Sequence, residues 1–252
     1  MTTRLSVNVN KVALLRNSRE GEVPSPLEAA RIALDAGAHG ITVHPRPDER
    51  HVRRSDVLPL AELVREAAGG VAGEVEYNIE GNPFLGDYLA IAGEAKPDQC
   101  TLVPDDPAQK TSDHGWDLKR DAGRVKPVVE HLKALGCRVS LFMDPVIEQI
   151  ELAPATGADR IELYTEGYAR AIAAGSPEAD RVHEQYAAAA RRAQELGLGV
   201  NGGHDLNLEN LGRFVSIGGI LEVSIGHALT ADALLHHGLA EAVRRYLAAM
   251  GQ

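Results

Sequence analysis

The sequence predicts a closed (β/α)8 barrel, an α/β fold formed by one domain over residues 1–252. Three observations predict it. Short apolar runs alternate with amphipathic stretches eight times along the chain, and strict alternation implies parallel strands joined by crossover helices. The apolar runs end again and again in a polar residue of catalytic type, and a barrel gathers its strand ends on one rim in that way. No glycine lies between Asn8 and Arg19, whereas an open doubly wound sheet ordinarily carries a Gly-rich dinucleotide turn after its first strand.

The first strand, residues 5–10, alternates apolar and polar positions and ends in Asn8, Asn10 and Lys11, ahead of a loop with Arg16, Asn17 and Arg19. Pro24, Ser25 and Pro26 then lead into a helix with Ala29, Ala30, Ile32, Ala33 and Ala36 on one stripe and Gly37 as its stop. The second strand opens the stretch GITVHPRPDERH, residues 40–51. Pro45 and Pro47 hold its exit extended, since each fixes its own φ and pushes the preceding residue out of the helical region. A helix over residues 55–68 follows, with Ser55 as its expected N-cap.

The third strand, residues 74–80, ends in Asn78 and Glu80, and Gly81-Asn82-Pro83 turns into a third helix. The fourth strand, residues 99–103, runs into Pro104 and a long polar segment, residues 105–120, of a length that compact domains often use as a lid. Trp116 in that segment either packs it down or takes part in its chemistry. Helix 121–135, strand 138–143, helix 146–156 and strand 160–165 follow, and Glu162 lies inside the last of these, where a buried carboxylate needs a partner. Helix 177–196, strand 199–201, helix 208–216, strand 221–225 and an amphipathic helix 231–250 complete the alternation.

Hydrophobic residues make up 44% of the chain and charged residues 25%, ordinary values for a soluble globular protein. A formal net charge of -10 argues against a nucleic-acid partner, which needs a basic face, but leaves room for a local pocket that binds small phosphorylated ligands. Cys100 and Cys137 sit in apolar strand contexts and read as reduced core residues of a cytoplasmic protein. The first nine residues do not form a signal peptide, and no apolar run approaches membrane-spanning length.

On a barrel, the strand ends bring Asn8, Asn10, Lys11, His44, Arg46, Glu80, Glu162, His204 and His227 to one mouth. Carboxylates and imidazoles there can move protons, and cations can hold anions. Gly202-Gly203 and Gly226 follow strands seven and eight, where bare backbone lets N–H groups approach phosphate oxygens. The same His and Glu residues could instead hold a metal, but no HxxxH or HxH pair supports that use.

These residues carry a resemblance. SVNVNKVALLRNSR (6–19), GITVHPRPDERH (40–51), RVSLFMD (138–144), RIELYT (160–165), NGGHDL (201–206) and EVSIGHA (222–228) resemble the pyridoxine 5'-phosphate synthase family, in that family's order and over nearly the whole chain. The resemblance implies a (β/α)8 barrel that condenses 1-deoxy-D-xylulose 5-phosphate with 3-amino-2-oxopropyl phosphate, without metal or organic cofactor. It makes His44 and Glu80 general bases, His204 the proton donor and Glu162 a stabiliser of transition-state charge. Asn8, Arg19, Gly226 and His227 would hold the amino-ketone phosphate, and Arg46, His51 and Thr111 the deoxyxylulose phosphate, with Thr111 on a segment like the family's mobile loop. Asn10-Lys11 stands where many members have Asp-His, and Asp205 where glycine is frequent; all three are expected to contact substrate. The family forms homo-oligomers, octamers among them, so self-association is expected as well.

Overall fold

In the computed structural model, which describes residues 2–69, 74–175 and 177–252, eight parallel strands pair in chain order and close on themselves. They are β1 (Arg4–Asn8), β2 (Gly40–Val43), β3 (Glu76–Gly81), β4 (Gln99–Leu102), β5 (Arg138–Met143), β6 (Arg160–Tyr164), β7 (Gly199–Gly203) and β8 (Ile220–Ile225). Closure is made by β8 on β1, with Arg4 opposite Glu222 and Ser6 opposite Ser224.

Successive strand side chains point to opposite faces, and here the two faces differ in kind. Leu5, Val7, Ile41, Val43, Ile79, Leu102, Val139, Leu141, Ile161, Leu163, Val200 and Val223 enter the apolar core, on the side where the helices pack against the strands. The alternate residues face the lumen and are mostly polar. Ser6 and Thr42 share a 2.7 Å hydroxyl bond, Asn78 Nδ2 donates to Thr42 Oγ1 at 3.3 Å, and Thr101 Oγ1 donates to Asn78 Oδ1 at 3.1 Å. Gln99 Nε2 on β4 donates to Glu222 Oε1 on β8 at 3.1 Å. Those strands lie on opposite sides of the ring, so that bond crosses the lumen. Arg138 Nε donates to Gln99 Oε1 at 2.9 Å, and Arg160 donates to Asn201 Oδ1 at 3.1 Å, so a buried charge meets a partner at each step.

The outer layer contains α1 (Asn10–Arg16), α2 (Pro26–Asp35), α3 (Arg54–Ala67), α4 (Tyr88–Ala95), α5 (Leu118–Ala134), α6 (Ile147–Ile150), α7 (Glu166–Ala174), α8 (Pro177–Glu195), α9 (Leu211–Val215), α10 (His227–Asp232) and α11 (Leu239–Ala249). Three of these, α1, α7 and α10, are additions to the eight expected helices, and they directly follow the C-terminal ends of β1, β6 and β8. Asn10 therefore opens a helix instead of ending the first strand. Asn8 Oδ1 accepts the Asn10 N–H at 3.0 Å, a turn in which a side chain replaces a backbone acceptor and redirects the chain. Residues 146–156 form α6 and a separate 3₁₀ turn, Ala153–Thr156, not one helix. The last expected helix is also interrupted, by a wide π turn at Ala233–His237 and by Gly238 at φ 70°.

Ser55 is not the cap of α3. The helix begins one residue earlier, and Asp56 Oδ2 accepts the Arg53 N–H at 2.8 Å. The same carboxylate binds Arg16, whose guanidinium is buried: Nη1 donates to Asp56 Oδ1 at 2.6 Å and Nη2 to Oδ2 at 2.9 Å. Nη2 also donates to the His51 carbonyl at 3.1 Å, so the pair fixes the loop that carries His51. Removing one partner of a buried, doubly bonded pair strands the other charge. Asp56→Ala is therefore expected to lower the free energy of urea unfolding by about 3 kcal/mol or more; a loss below ~1 kcal/mol would remove this pair from the fold's essential contacts.

Candidate active site

The C-terminal mouth of the barrel holds a cavity of about 290 Å³ lined by Asn8, Asn10, Lys11, His44, Arg46, His51, Glu80, Thr111, Glu162, His204, Asp205, Gly226 and His227. Thirteen of the fourteen residues expected at the site meet there. Arg19 does not: it is exposed beyond the end of α1 and absent from the cavity lining. The helix after Asn8 carries the chain away from the mouth before position 19 is reached. Lys110, Ser112 and Ser224 also line the cavity, and Asp105 stands outside the lining, against His44 and Arg46. The sequence does not single out Asp105, because Val103-Pro104 separates it from the end of β4, although it follows the same rule of polar strand exits.

His44 follows β2 on the stiff Pro45-Arg46-Pro47 exit, and its backbone N–H is fixed by Asn10 Oδ1 at 2.9 Å. Its ring lies between two carboxyls, with Nδ1 3.9 Å from Glu80 Oε2 and Nε2 3.6 Å from Asp105 Oδ2. Asp105 in turn accepts from Arg46 and, at 3.0 Å, from Ser112 Oγ. The segment between β4 and α5 lies over this group through Arg46 and Arg50, which donate to the Gln109 carbonyl at 2.9 and 2.7 Å. Trp116 is buried and donates to the Leu102 carbonyl at 2.8 Å, so it packs the segment down.

His204 stands just past β7 with φ 79°, and Asp205 follows with φ 57°; a left-handed pair of non-glycine residues is a strained backbone of the kind found at functional sites. The Thr165 hydroxyl lies within hydrogen-bond reach of the Gly203 and His204 carbonyls and secures the turn. The His204 ring packs at 5.2 Å from Phe142 and 5.3 Å from Tyr164. Gly203 is required for a different reason: a Cβ there would overlap Glu162 Oε1. At Gly226 a Cβ would lie 3.1 Å from the Asn8 side chain and backbone. Asp205 is exposed at the mouth, where water screens its charge.

Burial dominates the electrostatics. It pushes the Glu80 carboxyl up to about 8, reinforced by Asp105 and Glu222 and opposed by Arg46 and a Ser224 hydrogen bond. Glu162 is also raised well above the carboxylate range, by burial and then by Glu80 and Glu222, and its Oε2 has no hydrogen-bond partner. Burial and neighbouring cations hold the imidazoles neutral: His51 falls to about 3, with Arg46 and Lys11 beside it, and His204 to about 4. His44 is lowered by burial and then by Arg46. Neutral acids, neutral bases and fixed cations in one cavity can exchange protons around a bound anion. Among the described residues no three His, Cys, Asp or Glu side chains form a metal-holding group.

The fold and site define a (β/α)8 barrel whose polar mouth, lined by acids, imidazoles and cations, suits small anionic ligands. A family model described as pyridoxal phosphate biosynthesis protein PdxJ matches residues 5–252, and the chain belongs to that family. A pyridoxine 5'-phosphate synthase of Xanthomonas axonopodis pv. citri (strain 306) is 52% identical over 254 residues, 98% of this chain and 96% of the relative. One from Xylella fastidiosa (strain 9a5c) is 51% identical, covering 97% of this chain and 94% of its own. Similarity to solved structures shows the fold alone: a Rubisco-like protein from Rhodopseudomonas palustris has a TM-score of 0.60 at 15% identity, over 100% of this chain and 64% of its own. A structure described as native KDPGal has a TM-score of 0.57 at 12% identity, over 97% of this chain and 93% of its own.

The raised acids and lowered imidazoles act on stability in opposite pH windows. A carboxyl raised on folding contributes stability that is complete below its unfolded value near 4.5 and lost as pH rises through its folded value. An imidazole lowered on folding contributes stability that is complete above 6.5 and lost as pH falls toward its folded value, about 4 for His204. Glu162→Gln is therefore expected to raise the urea midpoint of the protein at pH 8 and to leave it unchanged at pH 4. A midpoint lowered at pH 8 would mean that the Glu162 carboxylate stabilises the fold.

Proposed function

We propose that the chain condenses 1-deoxy-D-xylulose 5-phosphate with 3-amino-2-oxopropyl phosphate to give pyridoxine 5'-phosphate, inorganic phosphate and water, in the cytoplasm. The observation that carries this reading is the convergence of His44, Glu80, Glu162 and His204 on one cavity that also holds Arg46 and Lys11. Imine formation, dehydration, phosphate loss and ring closure are successive proton transfers, and they need several acid/base groups at a site from which water is excluded.

In this reading Arg46, His51 and Thr111 hold the deoxyxylulose phosphate, and Asn8, Gly226 and His227 the amino-ketone phosphate. Asn10 and Lys11 contact the substrates from the start of α1, and Asp205 does so from the rim. Arg19 reaches substrate only by a rearrangement of the loop after α1. His44 and Glu80 accept protons, His204 donates one to a leaving oxygen, and Glu162 faces the cationic nitrogen that forms as amine and ketone combine. The substrates set these protonation states. A substrate ammonium beside Glu80 lowers its carboxyl from about 8 and turns it into a base. Phosphate dianions near His204 raise its imidazole from about 4 and turn it into an acid.

We also assign the protein as a homo-oligomer. Leu15, Val23 and Leu234 are 46%, 86% and 67% exposed, and Leu15 and Leu234 line an apolar cavity with Ile32 and Leu239. A concentration-independent monomer in analytical ultracentrifugation would remove this assignment.

Purified protein given both phosphorylated substrates is expected to form pyridoxine 5'-phosphate and release inorganic phosphate in equal amounts; neither product would end the synthase reading. His44→Ala and Glu80→Gln are each expected to lower turnover at least ~100-fold, and a variant with wild-type turnover takes its residue out of the mechanism. Binding of the deoxyxylulose phosphate at pH 7.5 is expected to take up protons, seen as a dependence of the calorimetric heat on buffer ionisation enthalpy. Net proton release would contradict the switching of the imidazoles.

A further inference from the structure

Two Arg–Asp pairs, each with a buried arginine, bind the loop that follows β2 and are built differently. Arg16 grips Asp56 through both carboxylate oxygens, at 2.6 and 2.9 Å, the geometry of a permanent structural pair. Arg46 meets Asp105 through one oxygen only. Oδ2 takes the Arg46 Nη2 bond and the Ser112 bond and lies 3.6 Å from His44 Nε2, while Oδ1 is buried without a hydrogen-bond partner. A buried carboxylate with one oxygen unpaired forfeits much of what would hold it in place.

The position of this pair is equally telling. Arg46 and His44 line both the catalytic cavity and a second cavity of about 220 Å³ behind it, lined also by Asp105, Arg50 and Asn82. Arg46 faces both, and Asp105 faces the second alone. A carboxylate that left Arg46 would have space beside the Arg50 guanidinium, which binds Asp48 and the Gln109 and Pro107 carbonyls, and the Asn82 amide, which already donates to the Asp105 carbonyl at 2.8 Å and so sits within reach of its side chain. A phosphate dianion in the catalytic cavity brings three strong acceptors and more charge than a carboxylate bound through one oxygen.

We propose that Asp105 is a positioning residue that stands in for substrate phosphate: it holds the Arg46 guanidinium until the phosphate arrives, then yields it and swings toward Arg50 and Asn82. Because Ser112 is bonded to the same oxygen, phosphate binding also frees the residue next to Thr111 to turn to the substrate. This inference rests on the reading of Arg46 as a phosphate anchor. It makes Asp105 a competitor of the ligand, which a carboxylate that merely supports the fold would not be.

The test is calorimetric titration with inorganic phosphate. Removing the competing charge in Asp105→Asn is expected to tighten phosphate binding at least ~10-fold, and Asp105→Glu, which keeps the carboxylate, to stay within about threefold of the wild type. The gain is expected to vanish when Arg46→Ala is added. Unchanged or weaker phosphate binding in Asp105→Asn, or a gain that survives Arg46→Ala, overturns the proposal. A crystal structure of the unaltered protein with phosphate tests it without a variant: phosphate on Arg46 with Asp105 withdrawn supports it, and phosphate elsewhere, or on Arg46 with Asp105 still paired, overturns it. Turnover of both substrates by the unaltered protein without tighter phosphate in Asp105→Asn sinks this inference and keeps the synthase reading; tighter phosphate in Asp105→Asn with no turnover by the unaltered protein does the reverse.

Discussion

A closed ring of strands sends every second side chain into a space from which bulk water is largely excluded, and in this chain most of those side chains are polar. That constraint governs the rest of the structure. Each inward group must find a partner inside the ring, so Gln99 bonds across it to Glu222, and Arg138 bonds to Gln99 and Glu76. The apolar residues that would fill an ordinary barrel interior are displaced to the outer face, where the core forms between strands and helices. The lumen thus provides a polar column, from the arginines at the closed end to the acids and imidazoles at the mouth, and the active site is the open end of that column.

The alternation of strands and helices was legible because it depends on local pattern: apolar runs bounded by Gly, Pro and Asp. Ten of the thirteen expected residues in the cavity stand at strand ends, and a barrel leaves its strand ends nowhere else to go; His51, Thr111 and Asp205 were expected only from the family resemblance. Glu162 illustrates how far such reading reaches. Its place inside an apolar strand marked it as needing a reason, and the reason is that it points into the lumen, where Gly203 leaves the space its carboxyl fills. The added helices were not legible. VALLR after Asn10 is equally compatible with the end of a strand, and only the Asn8 side chain, by taking the Asn10 N–H, decides for a turn. The same helix carries the chain away from the mouth, so Arg19 lies outside the cavity lining. Asp56 shows the other limit: a serine is the better cap by residue type, but a carboxylate that already holds Arg16 does the work from the next position.

The protonation states of the site follow from the same exclusion of water. Burial disfavours charge of either sign, so Glu80 and Glu162 keep their protons while His44, His51 and His204 lose theirs. Fixed positive charge then remains mainly on Arg46 and Lys11 at the cavity wall. An anion entering such a site would meet cations and neutral groups whose proton affinities it can change. Lys11 is itself one of the charges that keep His51 and His204 neutral.

The arrangement is stabilising only in sum. Buried acids such as Glu162, with one oxygen unpaired, and left-handed turns at His204 and Asp205 each oppose folding, and neither is needed to close a barrel. They persist because the surrounding contacts over-determine them. Thr165 fastens the carbonyls of the strained turn, Phe142 and Tyr164 pack the His204 ring, and the outer apolar core is continuous around the ring. Relieving any one of these strains would move the group it holds relative to the others, and groups that act in sequence on a single substrate cannot be moved apart by even an ångström without loss of rate. The energetic expense of the mouth is thus inseparable from its geometry, and the stability that sustains it comes from the face of the sheet that never meets the substrate.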